Sequence, residues 1–386
     1  MADDTWDMGR WILSTSQSVQ FEVVETTRLL DPGNPQLKQV PGTPEPPRGH
    51  RLAVLDEAVE DIFGSRIRDY FASSNTPMSY MTVPAGDEHK TIEHVLRVAS
   101  RLNEIGTEKF DMPPIAFGGG VVQDIVGLAT TLYRSSIPYV RVPTTLLGQI
   151  DSSVSARSGV NFEGFRNRLG TFNPPSLTFI DRAFIATLPK RHIRSGLGQA
   201  LKMALIKDPV LFRLLEEFGP LLVQERLQDT SPLTAEREPG RLVMHRAIDG
   251  MAAESQKNLW EKGFHRIVDY GHAVEMEVRP IMLHGEAATM GSLFCAVLSL
   301  NRGLLCSRDY DRIIDCVQGM GLLLARETFG SLGLVESVFA DAARHRVGVQ
   351  HLTLLTGIGK TVFVEDLTDK EIKQADRAMQ KLFRKA

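Results

Sequence analysis

The chain has 386 residues, of which 42% are hydrophobic and 24% charged, and its formal net charge is −3. This hydrophobic share allows a large buried core, and the length predicts two domains. Acidic and basic residues are mixed without a basic block, and no apolar run approaches the roughly 18 residues of a membrane span, so neither nucleic acid nor a membrane is an expected partner.

Predicted strands and helices alternate through the first half of the chain. The acidic start, MADDTWDMGRW, does not resemble a secretory signal, and residues 1–17 and the proline-rich segment 31–50 are predicted to be loop-like. Apolar patterns predict strands at 18–24, 51–56, 78–83 and 114–117, and helices at 59–72, 89–105 and 124–132. This order is typical of an α/β, Rossmann-like domain with a parallel sheet covered on both faces.

The second half is predicted to be mainly helical. Long amphipathic stretches occur at 193–217, 242–260, 285–305 and 309–320, with one later strand at 352–355 or 361–364. We therefore predict an α/β domain over residues 1–188 and a helical domain over 189–386. The three cysteines match neither a zinc motif nor a disulfide pattern, so we expect reduced thiols and a cytoplasmic location.

A glycine run follows the strand predicted at 114–117. Gly118, Gly119 and Gly120 would let the backbone approach a pyrophosphate, and the next helix would offer its unpaired N–H groups. The run GGGVVQD is not the G-x-G-x-x-G fingerprint, so a plain tight turn remains an alternative.

Acidic residues stand at two other strand-to-helix junctions. Asp56 ends a predicted strand, where an acid often binds ribose hydroxyls, but it is equally suited to cap the following helix. Asp87 and Lys90 flank a second junction, where they would either cap the helix or hold a ribose and a phosphate.

Two histidines twelve residues apart, His272 and His284, are candidate metal ligands. Neutral imidazoles bind zinc well, and a catalytic zinc usually has three protein ligands. Two histidines alone are as consistent with capping or core positions, so the third ligand must come from elsewhere. We expect Glu286 to hydrogen-bond one imidazole.

Basic residues cluster around Asn161 and Asn167. Arginine and lysine in such a polar segment suit a phosphorylated, hydroxyl-rich substrate, although a solvated surface is the alternative. The members of this cluster are Arg157, Arg166, Arg168, Lys202 and Lys207.

Seven ordered motifs carry a resemblance to one family. The chain resembles the sugar phosphate cyclases, which include 3-dehydroquinate synthase, over about residues 50–365. The motifs are PAGDEHK, GGGVVQDIVGLATTLYR, VPTTLLGQIDSSVSARSGVNF, FRNRLGTFNPP, TLPKRHIRSGLGQALKMALIKD, RIVDYGH and LHGEA.

This resemblance implies an NAD-binding domain, a helical domain with a Zn²⁺ (or Co²⁺) site, and a homodimer. It also implies that a sugar phosphate is transiently oxidised by NAD, loses phosphate, is reduced again and closes a carbocycle by aldol addition. The positions matching the family's NAD-binding residues are Asp56, Asp87, Lys90, Gly118, Gly119, Gly120, Val121, Asp124, Thr144, Thr145, Phe184 and Thr187.

The resemblance also assigns the catalytic and metal-binding positions. The three zinc positions are occupied by Gln199, His272 and His284. The residues expected to face the substrate or act in catalysis are Asp151, Arg157, Arg166, Asn167, Lys202, Asp269 and His345.

Departures from dehydroquinate synthases favour another branch of the family. Those enzymes have Lys, Asn and His where this chain has Arg157, Asp269 and Met276. A buried Asp269 would repel a substrate carboxylate and accept hydrogen bonds from hydroxyls. The chain is therefore most similar to the 2-epi-5-epi-valiolone synthases, which use sedoheptulose 7-phosphate.

Gln199 is the main irregularity, since the family has Glu at this zinc position. A glutamine oxygen binds a divalent ion without contributing negative charge. This leaves a weaker metal site, an engineered substitution or a catalytically impaired homologue as alternatives. 3-Dehydroquinate synthase and an iron-type NAD-dependent alcohol dehydrogenase are the competing functions.

Overall fold

The computed structural model describes residues 11–16, 18–40, 50–73, 77–108, 112–262, 266–272, 274, 282–322 and 352–385. Two positions named from the sequence, Met276 and His345, lie outside these ranges. Among the described residues, no helix has the length and apolar character needed to cross a bilayer.

A six-stranded sheet forms the centre of the first half of the chain. Its strands follow the order β1-β8-β5-β4-β2-β3, and every pairing is parallel, as predicted. The strands are β1 (Glu22–Glu25), β2 (Arg51–Asp56), β3 (Met78–Val83), β4 (Ile115–Gly118), β5 (Val140–Pro143) and β8 (Leu177–Ile180). The first strand begins four residues later than its alternating pattern suggested.

Helices cover both faces of this sheet, which explains why its central strands are apolar on both sides. The helices of this half are α1 (Glu57–Ala72), α2 (Ile92–Glu104), α3 (Gly120–Leu132) and the short α4 (Leu146–Ile150). One face of the sheet packs on α1 and on the loop segment around Leu29 and Leu37, and the other face packs on α2 and α3.

An antiparallel hairpin stands outside the sheet and was not predicted from the sequence. Its strands are β6 (Arg157–Phe162) and β7 (Phe165–Phe172), with register pairs such as Gly159 and Gly170. The strands of the hairpin are too polar to show a buried-strand pattern, yet they carry Arg157, Arg166 and Asn167.

The second half is mainly helical, as predicted, and encloses one large apolar core. The stretch 193–217 is two helices rather than one, because Asp208 caps a new helix that begins at Pro209. The helices are α5 (Lys190–Ile206), α6 (Pro209–Glu225), α7 (Pro232–Ala235), α8 (Pro239–Lys257), α9 (His284–Asn301), α10 (Ser307–Gly319) and α11 (Asp369–Lys385).

Both candidate segments for a late strand are strands. β9 (Leu352–Gly357) and β10 (Lys360–Val364) form an antiparallel pair, so the expectation of a single strand was wrong. The division of the chain at residue 188 stays a prediction.

Candidate active site

The carboxyl ends of β2, β4 and β5 bring five of the predicted nucleotide-binding residues together. A Cβ on Gly118 would lie 3.1 Å from Asp56 Cβ, and one on Gly119 would lie 3.1 Å from Thr145 Cγ2. Thr144 N donates to Gly118 O at 3.1 Å. This edge of a parallel sheet is where α/β folds bind nucleotides, and the glycines leave it open.

The glycine run is the start of a helix rather than a turn before one. α3 begins at Gly120, four residues earlier than predicted, with extended Gly119 as its N-cap and no side chain capping it. A Cβ on Gly120 would meet nothing within 4 Å. α3, whose first turn includes Val121, therefore begins without a side-chain cap and with space beside Gly120, as binding of a phosphate at a helix start requires.

Asp56 caps α1, as one of its two predicted roles required. The other predicted role, binding of ribose hydroxyls, is compatible with this capping. Its Oδ1 accepts a hydrogen bond from Ala58 N at 2.9 Å. Burial raises the pKa of Asp56, while the hydrogen bonds from the Ala58 and Val59 backbone amides oppose that rise. Because Gly118 lies beside it, Asp56 stands where β2 and β4 end.

Lys90 and Asp124 form an ion pair at the same edge, with side chains only 8% and 18% exposed. Lys90 Nζ also donates to Asn167 Oδ1 at 2.7 Å. Neither Asp87 nor Lys90 caps α2, whose N-cap is Thr91 without a side-chain hydrogen bond. Lys90 at this second junction therefore pairs with Asp124 and Asn167, and neither Lys90 nor Asp87 caps the start of α2.

Asp87 ties this junction to the hairpin. Its carboxylate lies 3.1 Å from Arg166 Nη1 and accepts from Asn161 Nδ2 at 3.2 Å. Asn161 Oδ1 accepts from the backbone N of Asn167, whose φ of +49° is left-handed. The hairpin thus presents Arg166 and Asn167 beside the nucleotide edge.

The predicted basic cluster is only partly assembled. Arg168 stacks over Phe165 at 5.3 Å on the hairpin, and Lys207 pairs with Glu254 at 2.6 Å in the helical half. Lys202, by contrast, is buried in α5, three residues after Gln199.

Arg157 connects the hairpin to the helical half of the chain. Its Nη1 lies 3.0 Å from Glu261 Oε2, which is also 3.0 Å from Arg266 Nη1. Burial would raise the pKa of Glu261, but the two guanidiniums outweigh it and lower that pKa. Asp269 lies 3.8 Å from Arg266 and is about a quarter exposed, so the expectation that it is buried was wrong.

Asp151 and Gln199 meet across the two halves of the chain. Gln199 Nε2 donates to Asp151 Oδ2 at 3.0 Å, and Gln199 is 2% exposed. Gln199 Oε1 is buried and accepts no hydrogen bond from any residue that the structure describes. An unsatisfied buried acceptor costs about 1–3 kcal/mol, which a bound cation or donor would recover.

The packing of α5 on α9 sets the positions of the candidate metal ligands. A Cβ on Gly198 would overlap the carbonyl oxygen of Gly285, and Gly285 N donates to Ser195 Oγ at 3.0 Å. Gln199 and His284 are the chain neighbours of the two glycines, so this contact fixes the backbone next to each of them.

His272 is brought to the same helix by a second pair of glycines. A Cβ on Gly271 would lie 2.5 Å from the carbonyl carbon of Gly291 in α9, and Tyr270 OH donates to Ser292 O at 2.8 Å. Both histidines therefore stand next to residues that contact α9 or belong to it.

The donor atoms of Gln199, His272 and His284 are of types that suit a metal site with one neutral amide ligand. Within the described ranges, no group of three or more His, Cys, Asp or Glu side chains is arranged to hold a metal ion. Glutamine is not one of those four residue types. Gln199 Oε1, the buried acceptor without a hydrogen bond from any described residue, is therefore an additional candidate ligand atom. Glu286 does not serve an imidazole as expected. It accepts from Arg191 Nε and Nη2 at 2.6 and 2.8 Å and from Leu283 N.

Two further predicted NAD-binding residues follow the carboxyl end of β8, the parallel neighbour of β5 in the sheet. Phe184 is buried with its ring edge-on to Phe63, 5.1 Å between centroids. Thr187 is exposed, and its Oγ1 donates to Phe184 O at 3.1 Å.

Sequence reasoning missed residues that hold the site together. Gln123 Nε2 donates to Gly118 O at 3.0 Å, and its Oε1 accepts from Ser152 Oγ at 2.9 Å. Arg141 is fully buried and donates to Ser152 O and Ser155 O, both at 2.7 Å. The placement of Gln123 inside GGGVVQD was a usable signal, whereas the sequence analysis predicted neither β5 nor a role for Arg141.

Comparison with known proteins gives a consistent result. Residues 80–195 match the model of the 3-dehydroquinate synthase N-terminal domain, and residues 196–342 match that of its C-terminal domain. A 2-epi-5-epi-valiolone synthase from Streptomyces hygroscopicus subsp. jinggangensis (strain 5008) is 40% identical over 375 residues, covering 96% of this chain and 90% of that protein.

A solved structure agrees with this sequence relationship. It is that of ValA (2-epi-5-epi-valiolone synthase) from the same organism with NAD⁺ and Zn²⁺ bound, which has a TM-score of 0.85 and 38% identity and covers 97% of this chain and 100% of that one. A 3-dehydroquinate synthase from Desulforamulus reducens is 30% identical over 86% of this chain and 90% of that protein. The resemblance stated from the motifs and the predicted fold class are confirmed.

Proposed function

We propose, from the premise that this chain belongs to the dehydroquinate synthase-like family of sugar phosphate cyclases, that it converts sedoheptulose 7-phosphate into 2-epi-5-epi-valiolone, or an epimer, and phosphate. Membership of this family confirms the predicted class, an NAD- and metal-dependent cyclase. The observation that carries the choice of reaction is the 40% identity, over 96% of the chain, to a 2-epi-5-epi-valiolone synthase.

The proposed reaction is redox-neutral. A secondary alcohol of the sugar phosphate is oxidised and later reduced again, phosphate leaves between these steps, and intramolecular aldol addition closes the ring. When bound, NAD supplies reversible hydride transfer and Zn²⁺ or Co²⁺ polarises the alcohol and ketone oxygens. The residues of this chain would bind the nucleotide, the metal and the sugar phosphate, orient them and balance their charges.

For the nucleotide, we assign the open edge of the sheet. Asp56 would accept hydrogen bonds from ribose hydroxyls, and the amides at the start of α3, which no side chain caps, would donate to the pyrophosphate. Support comes from the neighbouring positions of Gly118, Gly119 and Thr145. For the metal, we assign Gln199, His272 and His284, supported by the orphaned oxygen of Gln199 and by the glycine contacts on α9.

For the sugar phosphate, we assign the basic groups between the hairpin and α5. Arg166 and Asn167 lie beside the nucleotide edge. Lys202 is buried in α5, three residues after Gln199. Guanidinium and ammonium groups would bind phosphate oxygens and stabilise the leaving group. Asp269, paired loosely with Arg266, offers an acceptor for hydroxyls and disfavours a substrate carboxylate.

The test is a product analysis. The protein is incubated with sedoheptulose 7-phosphate, NAD and zinc or cobalt, phosphate release is measured, and the carbocycle is identified by NMR. We expect stoichiometric phosphate and carbocycle with no net NADH. Phosphate release only from the heptulosonate phosphate would identify a 3-dehydroquinate synthase, and net NADH from a simple alcohol would identify a dehydrogenase. Nucleotide binding without any phosphate release would identify an impaired homologue.

We also propose a homodimer and a cytoplasmic location. The dimer rests on the family resemblance, and the location rests on the absence of disulfides among the described cysteines. Sedimentation equilibrium tests the dimer, since a monomer mass of 42.8 kDa at micromolar concentration would contradict it.

A further inference from the structure

We propose that Asp151 is a positioning residue for the metal: it fixes the Gln199 amide so that Oε1 is presented as the metal ligand. This inference rests on the proposed function for the identity of the metal site, and it concerns a contact that only glutamine at position 199 permits. It adds a role for Asp151 to the substrate-facing role expected from the resemblance.

The first step of the argument is the direction of the amide. An ionised carboxylate only accepts hydrogen bonds, so the Gln199 atom that lies 3.0 Å from Asp151 Oδ2 must be the NH₂ group. The amide oxygen is then turned away from Asp151. This assignment follows from hydrogen-bond chemistry and leaves one orientation for the side chain.

The second step is where that orientation leaves the oxygen. Gln199 Oε1 is buried and accepts no hydrogen bond from the residues described, although Gln199 is almost wholly enclosed by protein. It belongs to the residue after Gly198, which is pressed against Gly285 at the start of α9. The unsatisfied acceptor is therefore on α5, which packs against the start of α9.

The third step is charge. A glutamate at position 199 would place two carboxylates in the position of this hydrogen bond, where they would repel each other. With glutamine, the negative charge stays on Asp151, and its hydrogen bond draws electron density toward the amide oxygen. In related enzymes a single glutamate at this position provides both the negative charge and the oxygen ligand. Here Asp151 provides the charge and Gln199 provides the oriented oxygen.

The experiment measures zinc affinity in the substrate-free, NAD-loaded protein, by competition with a chromophoric chelator. Partners that orient metal ligands typically contribute about 10–100-fold in affinity, so Asp151→Asn is expected to weaken zinc binding by at least about tenfold. The double variant Asp151→Asn/Gln199→Glu restores the pair with donor and acceptor exchanged, and its affinity is expected to return to within about threefold of the parent. The visible spectrum of bound Co²⁺ should change in Asp151→Asn and return in the double variant.

The control is Asp61→Asn, which removes the same charge from an exposed position on α1 and should leave zinc affinity unchanged. If Asp151→Asn fails to fold, Asp151→Ser is used with the same expectation. Unchanged zinc affinity with lost turnover would show that Asp151 serves the substrate alone and would overturn the inference. A parent protein that binds zinc but makes no carbocycle would instead refute the proposed reaction and leave the affinity comparison intact.

Discussion

Gly198 of α5 lies against Gly285 of α9 with no space for a side chain on either residue. A Cβ on Gly198 would overlap Gly285 O and lie 2.5 Å from Thr289 Oγ1, and one on Gly285 would overlap Ser195 O. Because each glycine is the chain neighbour of a candidate metal ligand, this contact couples the packing of the helical core to the geometry of the metal site.

Gly198→Ala tests this coupling. The added methyl group forces α5 and α9 apart, and overpacking of this kind costs about 1–3 kcal/mol. We expect a loss of that size in the free energy of unfolding, measured with urea, together with weaker zinc binding. Gly357→Ala is the matched control, since a Cβ there meets nothing within 4 Å. Equal effects of the two variants would contradict the close helix contact.

The Lys90–Asp124 ion pair predicts a non-additive response to substitution. Removing one partner of a buried pair leaves an uncompensated charge and costs about 3–5 kcal/mol. We expect Lys90→Met and Asp124→Leu each to destabilise strongly, and the double variant to recover part of the loss. Arg101→Ala, which breaks an exposed pair with Glu104, should cost less than about 1 kcal/mol. Urea unfolding of all four variants gives the coupling energy, and simple additivity would contradict the pairing.

NAD affinity should depend on pH through Asp56. Burial raises the pKa of this carboxyl above its ordinary value of 3.8. The ionised form, which accepts hydrogen bonds from ribose hydroxyls, is present above the raised pKa and is lost as the pH falls through it. We therefore expect the Kd for NAD, measured by calorimetry, to rise on acidification at a higher pH than an exposed aspartate would give. Asp56→Asn should bind NAD more weakly and lack this dependence, and an identical pH dependence in the variant would exclude Asp56.

The elements with strong apolar periodicity were predictable from the sequence. β2, β3 and β4 and the helices α1 to α3 were found within a few residues because their buried faces repeat at the period of a strand or a helix. Polar elements were not. The β6–β7 hairpin has few buried side chains, and the break before Pro209 depends on the cap formed by Asp208, which periodicity does not detect.

The sequence offered candidate positions for the site but not the contacts between them. Local motifs singled out Asp56, the glycine run and the two histidines as candidates. The contacts Gln199–Asp151 and Arg157–Glu261 join residues 48 and 104 positions apart, and no local pattern encodes such a pairing. The expectation that Glu286 serves an imidazole failed because Arg191, from the start of α5, takes both of its oxygens.

Gln199→Glu should strengthen metal binding. A charged ligand replaces a neutral one, and the bound zinc ion offsets the repulsion that the new carboxylate meets from Asp151, so we expect zinc affinity to rise by at least about tenfold, or 1.4 kcal/mol, and cyclase turnover to rise with it. Zinc competition and phosphate release measure the two effects. Gln318→Glu, on the exposed face of α10, adds the same charge and should change neither. Unchanged zinc content and rate in Gln199→Glu would show that residue 199 is not a ligand.

The most direct test of the whole account is a crystal structure of the protein with NAD and zinc, with anomalous diffraction recorded at the zinc edge. The account predicts one zinc ion bound by Gln199 Oε1 and by the imidazoles of His272 and His284, with the nicotinamide ring facing it across the cleft. Zinc bound elsewhere, or the two imidazoles directed away from each other and far from the nucleotide, would contradict it.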